Sequence, residues 1–199
     1  MHFSLLTGLA LALATGISAQ DPYYRKQSKP FNLVISSSER GINNTYLYAC
    51  LEGTDIHALC FTRTEMPEFT RFTLNYTDVD NPVPGYGNVG LITWKESNQN
   101  TSMSLGLETH PLSNVAIPLF RPGDRGFTHF GFDYFNMMFA GGFQHDSVSP
   151  ALKKFLPYYR WQVCVTDAGL ELTTLAWVVG HGRADNPTCI PIVVSRVFV

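Results

Sequence analysis

Charge is scarce in this 199-residue chain: Lys, Arg, Asp and Glu together make up 15%, where a soluble domain usually carries about a quarter. The 14 Lys and Arg nearly balance the 16 Asp and Glu, so there is no basic footprint for nucleic acid. Close-set Cys-x2-Cys pairs are missing, which argues against a structural zinc site. A Gly-x-Ser-x-Gly elbow is missing too, so no serine is presented as a nucleophile by that route. Beyond the first twenty residues no apolar run is long enough to span a bilayer, and no membrane span, cofactor or metal is expected. Apolar residues, at 45%, and aromatic residues, at 13%, are abundant instead. That is enough to fill one core and too little for two, and it excludes a disordered chain.

Residues Phe3 to Ile17 are apolar but too few for a span of roughly 20 residues. Ser18-Ala19-Gln20 supplies small residues at a signal-peptidase site, and Asp21-Pro22 ends the run. The expectation is a secreted, extracellular protein with residues 1–19 as signal peptide, residues 20–29 as an extended leader and residues 30–199 as a single domain. The cysteines agree with that compartment. Cys50, Cys60, Cys164 and Cys189 form an even set, which in a secreted chain reads as two disulfides with three pairings open. The economical pairing is Cys50–Cys60 and Cys164–Cys189, each closing a local loop and contributing about 3 kcal/mol. Glu52-Gly53-Thr54-Asp55 is turn chemistry that folds the first pair together. Glycan acceptors are expected at Asn43, Asn75 and Asn100, each beside turn-like residues.

From Pro30 onward the chain reads as short strands. Phe31-Leu33-Ile35, Leu47-Ala49-Leu51, Met103-Leu105-Leu107 and Trp161-Val163-Val165 alternate with polar or small neighbours, and turn pairs such as Pro84-Gly85, Pro122-Gly123 and Gly141-Gly142 separate the runs. This spacing predicts an all-β, antiparallel sandwich or barrel-like domain, with a β-trefoil as the alternative architecture. Val115-Ile117-Leu119 alternates as well, but Pro118 demotes it to an edge or a bulge. One short helix is expected near 149–156, where Ser149 caps, Pro150 suits the first position and Pro157 stops it.

Several segments also carry a resemblance. They include Ser28-Lys29-Pro30-Phe31-Asn32-Leu33, Tyr46-Leu47-Tyr48-Ala49-Cys50, Val89-Gly90-Leu91-Ile92-Thr93-Trp94, Trp161-Gln162-Val163-Cys164 and Asn186-Pro187-Thr188-Cys189. Together they resemble a family of small secreted proteins from filamentous ascomycete fungi built on an uncharacterised domain. The resemblance spans nearly the whole mature chain and implies no activity, cofactor or catalytic residue. The first cysteine loop departs from it, with Glu52-Gly53-Thr54-Asp55-Ile56-His57 in place of a small-residue stretch.

Four clusters are candidates for chemistry. His129, Asp133, His145 and Asp146 combine imidazoles with carboxylates, but meet no recognised metal spacing. Gly180-His181-Gly182-Arg183 would present His181 as a base and Arg183 as an anion clamp, or is simply a hairpin loop pinned by Cys189. Carboxylates such as Glu96, Glu108, Asp124 and Asp133 offer nothing that selects a glycosidase pair. The aromatic cluster is the most informative. Phe127, Phe130, Phe132, Tyr134, Phe135, Phe139 and Phe143 crowd one segment, more rings than one strand buries unless both its faces are covered. Phe127, Phe130, Phe132, Tyr134 and Phe135, with His181 and Arg183, are therefore the candidate ligand-contacting residues.

Two functions of different class follow. The first is a non-catalytic binding or cell-wall/host-interaction module whose partner is a polysaccharide or a cell-surface component. The second, ranked below it, is a small secreted hydrolase with a histidine-based site. The sequence carries no signal of oligomeric state.

Overall fold

The computed structural model describes residue 24 and residues 26–78, 84–96, 102–123, 128–142, 149–150 and 155–199. Almost everything regular in them is antiparallel strand. In chain order these are β1 (Lys26–Gln27), β2 (Phe31–Ser36), β3 (Thr45–Gly53), β4 (Ile56–Thr62), a one-turn helix α1 (Pro67–Thr70), β5 (Thr73–Tyr76), β6 (Tyr86–Trp94), β7 (Met103–Glu108), β8 (Val115–Pro122), β9 (Phe130–Asp133), β10 (Met138–Gly142), β11 (Leu156–Tyr158), β12 (Trp161–Asp167), β13 (Glu171–Val178), β14 (Ile190–Pro191) and β15 (Val193–Phe198). Hydrogen bonding runs β11-β10-β9-β6-β7-β8-β4-β3-β2-β15. The sheet curls on itself, so that Met137, just before β10, bridges Ser195 of β15. This is the barrel or sandwich class that the alternation predicts.

Two strands act as branch points. β6 gives one edge to β5 and divides the other between β9 and β7. β8 lies against β7 along one edge and divides the other between β13, at Val115 and Ala116, and β4, at Leu119 and Phe120. Pro118 therefore stands in an interior strand, not at a sheet edge. It is tolerated because Ile117 and Pro118 fall in the gap where β8 leaves one partner for the other, and neither has a register partner on that side. Where β5 crosses β6 the backbones nearly touch. A Cβ on Gly90 would meet the Asn75 carbonyl oxygen at 2.0 Å, so only glycine fits.

The interior is aromatic. Phe31, Phe72, Trp94, Phe120, Phe130, Phe132 and Trp161 are all buried in one cluster with Leu33, Ile35, Leu47 and Leu59. Trp161 packs edge-on to Trp177 at 4.7 Å between ring centroids, and its indole N–H donates to the Met138 carbonyl at 2.7 Å. A buried tryptophan thus keeps its polar tip satisfied.

The disulfides are Cys50–Cys60 and Cys164–Cys189, with Cα separations of 5.7 and 4.2 Å. The first joins β3 to β4, where Cys60 stands opposite Tyr48. The second ties β12 to the segment leading into β14. One short helix is present among the described residues. It lies at Pro67–Thr70, where Pro67 takes the first position and Glu68 sits in the first turn. Of the segment near 149–156, residues 151–154 lie outside the described residues, and Leu156 already belongs to a strand. The leader contributes more than a tail, because Lys26 and Gln27 pair with Tyr76 and Asn75. Among the described residues no helix is long and apolar enough to cross a membrane.

Candidate functional site

The aromatic cluster divides by the geometry of one hairpin. Phe130 and Phe132 are on β9 and have no exposed face to offer, at 0% and 1%. Phe130 packs on Trp161 and Phe132 on Phe31, so both are core residues, and Phe132 reaches the groove described below only as the ring on which Arg196 rests. Phe127 and Phe143 lie outside the described residues. Tyr134 and Phe135 behave oppositely. They occupy the turn between β9 and β10 and are 75% and 81% exposed.

That turn is fixed by its own backbone. Asp133 Oδ1 accepts the N–H groups of Phe135 and Met137, both at 2.9 Å, and Oδ2 accepts the Tyr159 hydroxyl at 3.0 Å. The Asn136 N–H donates to the Asp133 carbonyl at 2.9 Å, and Asn136 takes the left-handed φ of 62° that asparagine tolerates. Burial, followed by the bond to Asp133, pushes the Tyr159 phenol well above its ordinary value. Asp133 is thus an acceptor for its own turn and for Tyr159. His129, the other described member of that cluster, is held below its usual pKa by burial, while His145 and Asp146 lie outside the described residues. Among the described residues no group of three or more His, Cys, Asp or Glu is placed to hold a metal ion.

The turn is docked against β15. The Arg196 N–H donates to the Asn136 carbonyl and the Arg196 Nε donates to Asn136 Oδ1, both at 2.9 Å. The Arg196 guanidinium lies over the Phe132 ring at 4.5 Å and the Phe198 ring at 4.8 Å. Half-buried there, it is held below the usual arginine pKa by desolvation and still carries its charge. Among the described residues no carboxylate pairs with it and no hydrogen bond reaches its Nη atoms. It lines a groove of ≈ 350 Å³ with Lys29, Tyr76, Asn88, Phe132 and Phe198. The groove and the exposed aromatic pair therefore share one end of the molecule, with Arg196 and Asn136 as the hinge between them. No local pattern in the sequence marks Arg196. Its importance comes from the pairing of β15 with β2, which are far apart in the chain.

A second cleft, ≈ 240 Å³, lies beside the loop that carries His181, lined by Tyr158, Arg160, Trp177 and residues 178–181. Arg160 commits two of its donors there, Nε to the Val178 carbonyl at 2.9 Å and Nη2 to the Gly182 carbonyl. The Asn114 side chain clamps the same loop, donating to the Arg183 carbonyl at 2.7 Å and accepting the Asp185 N–H at 2.9 Å. His181 and Arg183 are exposed. Among the described residues no hydrogen bond joins His181 to a serine or a carboxylate. Glu108 is engaged by Arg121, and Asp124 lies outside the described residues.

The acceptor asparagines are placed unequally. Asn43 sits in a turn, with Oδ1 accepting the Ser37 N–H. Asn75 stands inside β5, paired on both sides, with Oδ1 accepting from Gln27. Asn100 lies outside the described residues. Compared with models of protein families, with curated proteins and with solved structures, the chain finds no match.

Proposed function

We propose that this chain is a secreted, non-catalytic binding module of the fungal extracellular family it resembles. Its ligand face is the end formed by Tyr134, Phe135 and the Arg196 groove, and its ligand class is a saccharide. The observation that carries the reading is the pair of neighbouring aromatic rings, 75% and 81% exposed, on a turn whose N–H groups from Tyr134 to Met137 are all hydrogen-bonded. Two large exposed apolar side chains side by side are unfavourable in water unless something covers them. Their fixed mounting lowers the entropy lost on binding. Aromatic faces accept the C–H faces of pyranose rings, and the polar groups of the adjacent groove supply partners for hydroxyls. The two disulfides support the extracellular address.

Retention on immobilised chitin, glucan, cellulose and polygalacturonate tests this. The protein is retained on at least one, and Tyr134→Ala with Phe135→Ala abolishes retention while melting within about 0.5 kcal/mol of the parent, as surface changes do. No retention on any of them contradicts the proposal.

A further inference from the structure

We infer that the Arg196 groove reads a carboxylate, so that the saccharide taken by this face carries uronate groups. The inference rests on the binding-face reading above and adds the charge of the ligand to it. A half-buried cation is costly unless something compensates it. Arg196 has partial compensation, from two phenylalanine rings and one amide oxygen. It has no anionic partner among the described residues. The carboxylates at this end are already engaged, Asp78 by Lys26 and the Asn88 amide, and Asp133 by the N–H groups of its own turn and the Tyr159 hydroxyl. The negative charge that the groove lacks is therefore left to a ligand.

The geometry selects which anion. With Nε held by Asn136 and the guanidinium plane packed against two rings, the group keeps little freedom to rotate. What remains unbonded is the pair of Nη nitrogens, a planar fork that matches the two oxygens of a carboxylate. Lys29, exposed on the same groove, adds a second positive charge. Tyr76 and Phe198 contribute ring surface, and Phe198 is 49% exposed even while it touches Phe31. A groove of ≈ 350 Å³ falls at the lower end of the range for small-ligand sites. A cation fork set among aromatic faces is complementary to a sugar ring that carries its acid on the ring.

Calorimetric titration of the full-length mature protein tests this with three probes of equal length: an oligogalacturonate, its carboxyl-reduced neutral counterpart and a sulfated oligosaccharide. The oligogalacturonate should bind about 10- to 100-fold more tightly than the neutral probe, the range expected for one charge-assisted bidentate pair. Its affinity should also fall as salt rises. Arg196→Gln should remove that preference, bringing the acidic and neutral probes to the same affinity. Arg196→Lys keeps the charge and the packing stem but loses the fork. It should give an intermediate loss, and it carries the test if the glutamine variant does not fold.

Equal affinity for the acidic and neutral probes, or an unchanged preference in both variants, overturns the carboxylate inference. The binding face still stands in that case, provided Tyr134→Ala weakens both probes. Tighter binding of the sulfated probe than of the uronate overturns the assignment to a carboxylate. Absence of binding by all three overturns the carboxylate inference, and the binding face falls with it only if the immobilised chitin, glucan and cellulose fail to retain the protein as well.

Discussion

Two arginines stand beside the two clefts of this molecule, and their donors are used differently. Arg160 gives Nε and Nη2 to the carbonyls of Val178 and Gly182 and so fastens the His181 loop. Arg196 gives one N–H to Asn136 and rests on two aromatic rings, and its remaining donors line a groove. The first arginine is tied at two nitrogens to the backbone around its own loop. The second is held in place and left available. A cation beside a cleft therefore points to function only after its partners have been counted. By that comparison the glycine-rich His181 loop is braced by Arg160, and the proposed ligand face is the end that carries Arg196.

The contrast can be strained first through the scaffold side. Removing the Cys164–Cys189 bond by a double Cys→Ser change should cost about 2–5 kcal/mol, read as a lower melting temperature. Ligand affinity per folded molecule should stay as in the parent, because the bridge fastens the loop and not the groove. An equal loss of affinity would tie the two ends together and blur the distinction. Arg160→Met should come next, at about 1–3 kcal/mol, since two carbonyls lose a charged donor, again with affinity unchanged. Arg196→Gln should show the opposite pattern, a small change in melting and a large loss of acidic-ligand affinity. Arginine variants that behaved alike would break the comparison.

The smallest expected effect concerns a group remote from both clefts. Glu52 is buried, with Oε2 accepting the Leu170 N–H at 3.2 Å and Oε1 unpartnered. Desolvation raises its pKa, opposed by the Leu170 bond and helped by Asp167. A carboxyl raised in the folded state favours folding below its unfolded value, and that contribution is lost as pH rises through the folded value. Glu52→Gln should therefore melt slightly higher than the parent at pH 7. The gain should shrink on acidification and vanish below the ordinary glutamate value of 4.5. Melting curves from pH 3 to 8 check the sign, and a gain that grew on acidification would contradict it.

Much of the architecture was legible in the sequence because it is written locally. Alternation over a few residues marks β2, β3, β7 and β12, since side chains on a strand face opposite sides in turn. The two disulfides were legible because each closes a short loop. Pro118 misled because its cost depends on which neighbour faces it, and a strand that changes partners at that residue cannot be seen in one segment. The role of Asp133 was not legible: the sequence shows an aspartate beside a turn, and only the folded hairpin shows its carboxylate accepting two N–H groups and the Tyr159 hydroxyl. The exposed pair Tyr134 and Phe135 was within the candidate set, but the sequence did not separate it from the buried Phe130 and Phe132. That division follows from where β9 ends and its turn begins. Arg196 was illegible because its place beside Phe132, Asn136 and Lys29 is set by strand register across most of the chain.

The central claim is that ligand meets the Arg196 end and leaves the His181 end untouched. Amide chemical-shift mapping of the ¹⁵N-labelled protein titrated with an oligogalacturonate measures both ends at once. The predicted result is perturbation confined to Lys29, Tyr76, Asn88, Tyr134 to Asn136 and Arg196 to Phe198, with Gly180 to Arg183 unmoved. Perturbation centred on Gly180 to Arg183, with the Arg196 end silent, would contradict it.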